Sequence, residues 1–135
     1  MRVVVDTNVF ISGVFFTGPP HKILDAWRQA RVELLLSTQI LEEYQKTGDV
    51  LAKAYPGIDL DSWLRLVASR GRLVDAPPLA EQICEDPDDD KFLACAIAGR
   101  SKAVVSGDRA LLKASGYKGV AVLTPRHFLD RHLTK

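Results

Sequence analysis

The chain lacks several features that mark particular classes of protein. It has only two cysteines, Cys84 and Cys95, which stand too far apart for a redox pair and have no companion cysteine or close histidine for a zinc site. We therefore interpret them as reduced, buried residues. No apolar run is long enough to span a membrane, and the first residues carry no apolar export signal. These absences predict a cytoplasmic protein with no membrane contact.

The chain also lacks an excess of charge of either sign. Its 18 Lys and Arg residues balance 17 Asp and Glu residues, for a net charge of +1, which argues against a protein that coats nucleic acid. The distribution is nevertheless uneven, because acidic residues crowd the segment 85–90 and basic residues crowd the segment 109–135. Taken singly, each of those basic residues is better explained as solvated helix surface.

A regular alternation of strand and helix patterns runs through the 135 residues, a length that suits one domain over residues 1–135. Helical patterns between successive strand patterns predict a parallel sheet with right-handed crossovers. We expect an α/β protein, a three-layer α/β/α fold with a central parallel sheet and a helical arm inserted after the second strand. The predicted strands are 3–5, 32–36, 72–74, 103–105 and 120–123.

Capping residues, helix breakers and apolar spacing define the predicted helices. The segment 13–20 is interpreted as a loop, at the end of which a proline opens a helix. Ser37 or Thr38 caps a second helix, which we expect Gly48 and the following aspartate to interrupt. Further helices are predicted over 60–70, around 79–83, and from the aspartates at 88–90 to Gly99.

The stretch Val3–Phe10 carries the first candidate functional residue. Asp6 directly follows an apolar strand pattern, at the carboxyl end where open α/β sheets bind their ligands. The alternative is that Asp6 only caps the following turn, and this stretch alone does not decide between the two. Asp108 repeats the setting after the strand 103–105. If these strands are neighbours, the two carboxylates lie close together and need a cation or protons.

Two further acids are expected at the same edge of the sheet. Glu43 belongs to the helix after the second strand; its neighbour Glu42 could equally be the inward residue, and we prefer Glu43. Asp90 lies in the first turn of its helix, where the helix N-terminus favours the ionised form. We interpret Asp86, Asp88 and Asp89 as loop or helix-capping residues, one of which could help to hold a second cation.

The ligand chemistry of this group indicates a hard cation. Oxygen ligands without nearby His or Cys favour Mg²⁺ or Mn²⁺ over zinc. Several carboxylates around such cations fit hydrolysis of a phosphodiester by a metal-activated water. Thr7, Asn8 and Ser106 supply neutral hydrogen-bonding groups that would orient ligands or a water. The residues alone therefore predict a carboxylate metal site for phosphodiester hydrolysis.

The stretch Val3–Val9, the segments 37–44 and 86–96, and the stretch Val104–Asp108 together resemble the PIN-domain ribonucleases, in particular their VapC-related toxin branch. The resemblance implies Mg²⁺- or Mn²⁺-dependent cleavage of single-stranded or loop RNA, frequent homodimers, and the toxin's place in a type II toxin–antitoxin system with an antitoxin that blocks the site. The interruption expected at Gly48 departs from the family's pattern and affects the helical arm. The family's acidic quartet falls on Asp6, Glu43, Asp90 and Asp108, with Asn8 and Ser106 as its polar helpers.

Two alternatives belong to other functional classes. A phosphatase of the haloacid dehalogenase type also begins with an apolar strand and Asp, but it needs a second Asp two positions later, where this chain has Asn8. A PIN-like scaffold that binds RNA or protein without activity is disfavoured by the complete acidic quartet. For the nuclease, Arg109, Lys113 and Arg126 are candidates for contacts to the RNA backbone, which would add salt-dependent affinity without sequence choice.

Overall fold

The fold is built on a parallel sheet of five strands, and the prediction of a three-layer α/β/α architecture is confirmed. The computed structural model describes residues 1–133, so the end of the predicted 1–135 domain, including Lys135, lies outside the described part. The strands are β1 (Arg2–Val5), β2 (Glu33–Leu36), β3 (Arg72–Leu73), β4 (Ala103–Val105) and β5 (Ala121–Leu123). The helices are α1 (Thr7–Phe15), α2 (Pro19–Arg28), α3 (Thr38–Ala52), α4 (Leu60–Arg70), α5 (Asp90–Ala98), α6 (Arg109–Leu112) and α7 (Pro125–Phe128).

β1 lies at the centre of the sheet, in the strand order β3-β2-β1-β4-β5. Its residues Val3 to Val5 are fully buried, as expected of a parallel strand covered by helices on both faces. Val4 pairs with Leu35 on one side and with Val104 on the other. The strand order reverses between β1 and β4, and open α/β sheets bind ligands at the carboxyl ends of the strands beside such a reversal.

The helix after β2 continues through Gly48, and the predicted interruption there is wrong. α3 runs without a break from Thr38 to Ala52. Gly48 is buried, and a Cβ at this position would lie 2.9 Å from Cδ2 of Leu60 on α4 and 3.3 Å from Cδ1 of Ile11 on α1. Glycine at position 48 therefore lets three helices approach closely, and the predicted arm consists of α3 and α4 between β2 and β3.

Two other local predictions are wrong because tertiary contacts override the local pattern. The segment 13–20 is not a loop throughout, since α1 extends to Phe15 and a Cβ on Gly13 would lie 2.6 Å from Cδ1 of Leu24. No helix forms over 79–83, where the chain is irregular. Within residues 1–133, no helix combines the length and the apolar character needed to cross a membrane.

Tyr44 fixes α3 against the end of β1. Its ring stacks on Phe10 with ring centroids 4.1 Å apart, and its buried hydroxyl donates a hydrogen bond to the carbonyl oxygen of Val5. Because Glu43 precedes Tyr44 on the same helix, this anchor places Glu43 at the carboxyl edge of the sheet.

We expect Gly48→Ala to destabilise the protein. Alanine would gain about 1 kcal/mol of helix propensity over glycine, but its Cβ would press on the buried Leu60 side chain. Overpacking typically costs about 1–3 kcal/mol, so we expect the free energy of unfolding in urea to fall by about 1 kcal/mol.

The matched control is Gly57→Ala, because a Cβ at Gly57 meets nothing within 4 Å. This variant should change the free energy of unfolding by less than about 0.5 kcal/mol. A Gly48→Ala protein as stable as the wild type would contradict the close-packing explanation.

Candidate metal centre at the carboxyl edge of the sheet

Asp6 ends β1 and caps α1 at the same time. Its backbone N–H donates to the carbonyl oxygen of Val105 at 3.0 Å, which continues the pairing of β1 with β4. Its Oδ1 accepts from the backbone N–H of Val9 at 2.9 Å, and its Oδ2 accepts from the hydroxyl of Ser106. Asp6 is only 5% exposed. Asp6 therefore caps α1 and also lies at the carboxyl edge of the sheet. The sequence had left these two roles as alternatives.

Ser106 links Asp6 to Asp108. The Ser106 Oγ donates to Asp6 and accepts from the backbone N–H of Asp108 at 2.9 Å. Asp108 in turn caps α6 by accepting from the backbone N–H of Ala110 at 2.9 Å. The two strand-end acids predicted from the sequence are thus joined through one buried hydroxyl, as neighbouring strands require.

The metal-ligand role of Asp90 stays a prediction, and the structure shows that its carboxylate also has a structural contact. Its Oδ1 accepts from the backbone N–H of Cys84 at 2.8 Å and its Oδ2 from that of Ile83 at 3.1 Å, so this carboxylate ties α5 to the preceding segment. The neighbouring Asp89 interacts with Asp108, which helps to raise the pKa of Asp89. Consecutive side chains point about 100–120° apart around a helix or 3₁₀ turn, and the turn Pro87–Asp89 leads directly into α5.

Asp89 experiences the crowding of acids most strongly. Burial is the largest cause of a rise in its pKa to about 6, and the charges of Asp108, Asp86 and Asp6 add to it. Its Oδ2 is buried and, among the described residues, has no hydrogen-bond partner. Burial also raises the pKa of Asp6, against the hydrogen bonds that it accepts. A cation would relieve both the repulsion and the unpartnered oxygen.

Glu43 rather than Glu42 faces the site. Glu42 is exposed, whereas Glu43 is half-buried and its Oε1 accepts from the hydroxyl of Thr7, the residue after Asp6. The Glu43 charge also contributes to the raised pKa of Asp6. The preference for Glu43 in the sequence therefore agrees with its position in the structure.

Lys91 belongs to this site and was missed in the sequence. Its Nζ lies 2.6 Å from Oε2 of Glu43 and 2.9 Å from Oδ2 of Asp88, and its side chain is only 10% exposed. Burial lowers the pKa of Lys91, but its bonds to the two carboxylates outweigh this effect and raise it, so the ammonium stays charged. The feature of the sequence that could have indicated this role is the position of Lys91 directly after the acidic segment 85–90.

The donor set fits a hard divalent cation. Asp6, Asp89 and Asp108 offer only oxygen, and the nearby Cys84 is a poor ligand because burial and the neighbouring acids, Asp90 first among them, raise its pKa to about 12. Within residues 1–133, no three ligand-type side chains are already gathered into a complete metal cage.

The remaining predicted residues lie around this centre. Asn8 is exposed and, together with Asp108, lines a cavity of about 420 Å³. Arg109 and Arg126 are exposed, the former directly after Asp108. Lys113 is exposed and pairs with Glu85 at 2.8 Å, so it is the least available of the three predicted RNA contacts.

We expect Asp89→Asn to stabilise the metal-free protein at neutral and alkaline pH. The folded-state pKa of about 6 lies above the usual 3.8, so the folded state binds this proton more tightly than the unfolded state does. The protonated Asp89 carboxyl therefore adds to the free energy of unfolding of the wild type. This contribution is fully present below pH ~4 and is lost as the pH rises through ~6. Asp89 makes no capping hydrogen bond that asparagine would lose.

Calorimetry in the presence of a chelator measures this effect. The melting temperature of Asp89→Asn should exceed that of the wild type by roughly 2–5 °C at pH ~8, and the gap should close near pH ~4. The control is Asp75→Asn, at an exposed loop position, which should show no such pH-dependent gap. A wild type more stable than Asp89→Asn at pH ~8 would contradict the crowding described above.

The chain is similar in sequence to one known protein and similar in fold to two solved structures. The archaeal protein named uncharacterized protein MJ1680, from Methanocaldococcus jannaschii, is 34% identical over 116 residues, which cover 83% of this chain and 74% of that protein. The structure of PAE2754 from Pyrobaculum aerophilum superposes with a TM-score of 0.56 at 19% identity, over 96% of this chain and 88% of that one. FitAcB from Neisseria gonorrhoeae superposes with a TM-score of 0.54 at 22% identity, over 93% of this chain and 99% of that one.

The family match covers most of the chain and includes all the acids of the candidate centre. The PIN domain matches residues 2–110, from the start of β1 to the start of α6. This match establishes that the chain belongs to the PIN domain family.

Proposed function

We propose that the protein is a Mg²⁺- or Mn²⁺-dependent endoribonuclease that hydrolyses phosphodiester bonds of single-stranded or loop RNA. The observation that carries this proposal is the buried, unpartnered Oδ2 of Asp89 within a group of like charges. Membership of the PIN domain family supports the nuclease class. A hard cation and a phosphodiester are the chemistry that this oxygen-only donor set suits best.

Asp6, Asp89 and Asp108 are the residues that would hold the cation. When bound, the cation would polarise the phosphate and lower the pKa of a water. Asp6 is oriented for this by Val9 on one carboxylate oxygen and Ser106 on the other, so the hydrogen bonds fix its rotamer before a ligand arrives. Glu43, held by Thr7 and Lys91, would help to hold a second ion or position the attacking water.

The substrate would approach across the rim that carries Arg109 and Arg126. Arg109 is the first residue of α6 and Arg126 is the second residue of α7, and both helices start at the carboxyl ends of strands, the edge that carries Asp108. We propose that they contact RNA phosphates and supply affinity that falls with salt and does not depend on sequence.

The biological role that we propose is the toxin of a type II toxin–antitoxin system in the cytoplasm. A cognate antitoxin would then cover the acidic centre, and the toxin would form a homodimer. The resemblance of the acidic quartet to the VapC-related branch and the structural likeness to FitAcB support this role. The scaffold without activity is the alternative that the experiments below also test.

Asp6→Asn should abolish Mg²⁺-dependent cleavage of an unstructured RNA, with a loss of at least about 100-fold in rate. Asparagine can still cap α1, so the fold should survive, and the circular dichroism spectrum should match that of the wild type. Cleavage by the purified variant equal to that of the wild type would overturn the nuclease proposal, as would the absence of metal-dependent cleavage by the wild type.

Asp89→Asn and Asp90→Asn test which of the two aspartates is a metal ligand. The structure favours Asp89, whereas the sequence resemblance favours Asp90. Asp89→Asn should lose about as much activity as Asp6→Asn, because it removes the unpartnered oxygen. Asp90→Asn should lose less activity and more stability, because it weakens the bonds to the backbone of Ile83 and Cys84. Rate measurements at saturating Mg²⁺ would show the reverse order if Asp90 were the ligand.

A further inference from the structure

The ammonium group of Lys91 contacts two carboxylate oxygens and one backbone carbonyl oxygen. It lies 2.6 Å from Oε2 of Glu43 and 2.9 Å from Oδ2 of Asp88, and it also donates to the backbone carbonyl of Asp88 at 2.8 Å. Nitrogen–oxygen distances of this length are those of charge-assisted hydrogen bonds. A lysine held in this way replaces its lost hydration with fixed protein oxygens.

Both carboxylate oxygens of Glu43 are engaged by residues of the chain itself. Oε1 accepts from the hydroxyl of Thr7, and Oε2 is bound by Lys91. Lys91 therefore places a positive charge 2.6 Å from one oxygen of Glu43, and a divalent cation bound to that carboxylate would be repelled by the ammonium at short range.

The acids of the centre therefore fall into two groups with different counter-charges. Glu43 and Asp88 share Lys91 as their counter-charge. Asp6, Asp89 and Asp108 take part in none of the ion pairs formed within residues 1–133. The group without a counter-charge is also the one that contains the unpartnered Asp89 oxygen.

We propose that the Lys91 ammonium takes the place of a second metal ion, so that the centre binds a single divalent cation at Asp6, Asp89 and Asp108. This inference rests on the proposed function and deepens it, because it chooses between the two roles left to Glu43. Lys91 is a positioning residue that holds the Glu43 carboxylate in place beside Thr7. Glu43 then acts on a water and not as a metal ligand.

Counting bound Mn²⁺ by electron paramagnetic resonance and isothermal titration calorimetry tests this inference without an activity readout. The wild type should bind one Mn²⁺ per chain. Lys91→Met should bind two, because the vacated position lies between carboxylate oxygens of Glu43 and Asp88. Lys91→Arg, which keeps the charge, and Lys102→Met, which removes an exposed lysine outside the site, should each bind one.

Two Mn²⁺ ions in the wild type, or one in a folded Lys91→Met protein, would overturn the inference and leave the nuclease proposal standing. No Mn²⁺ binding by the wild type would overturn the proposed function itself. If Lys91→Met does not fold, Glu43→Gln in the wild-type background decides the matter. The inference expects one Mn²⁺ in that variant with an affinity within about threefold of the wild type, whereas an at least tenfold weaker affinity would contradict it.

Discussion

The crowding of carboxylates at the ends of β1 and β4 is the constraint on which the rest of the site depends. Asp6 is buried, Asp108 is joined to it through Ser106, and Asp89 reaches the same group from the start of α5. Burial and the charges of the neighbouring acids raise the pKa values of Asp6 and Asp89, and a bound cation would oppose this effect. The sheet holds them there because Val4 of the central strand is paired on both sides, which leaves the strand ends little freedom to separate.

The side chains that cap two helices are the same ones that we propose as metal ligands. Asp6 starts α1 and Asp108 starts α6, and each keeps carboxylate lone pairs free for a ligand while it accepts a backbone N–H. Local sequence signals for a helix cap and for a metal ligand are therefore identical at these positions. Agreement between two strand ends favoured the site, because parallel strands bring their carboxyl ends to one edge.

The fold class, the two strand-end acids and the choice of Glu43 could be predicted because they follow from periodicity and topology. Gly48 could not be interpreted from the sequence, because its role depends on the approach of Leu60 across space. Asp89 and Asp90 are one residue apart, and only the turn before α5 decides which of them turns inward. The role of Lys91 could not be predicted for the same reason, since the acids that bind it come from α3 and from the turn before α5.

Lys91 separates the acids of the centre into two groups, those that it pairs with and those without a counter-charge. The run of acidic residues in the sequence does not by itself predict this difference. Glu43 and Asp88 have the ammonium of Lys91, whereas Asp6, Asp89 and Asp108 have no ion-pair partner within residues 1–133, and the proposed single metal ion would supply their counter-charge. The most direct test is a crystal structure grown with Mn²⁺ and measured at the manganese absorption edge. The predicted result is one anomalous peak within about 2.3 Å of oxygens from Asp6, Asp89 and Asp108. A peak bound by Asp90, or no peak at this edge, would contradict the account.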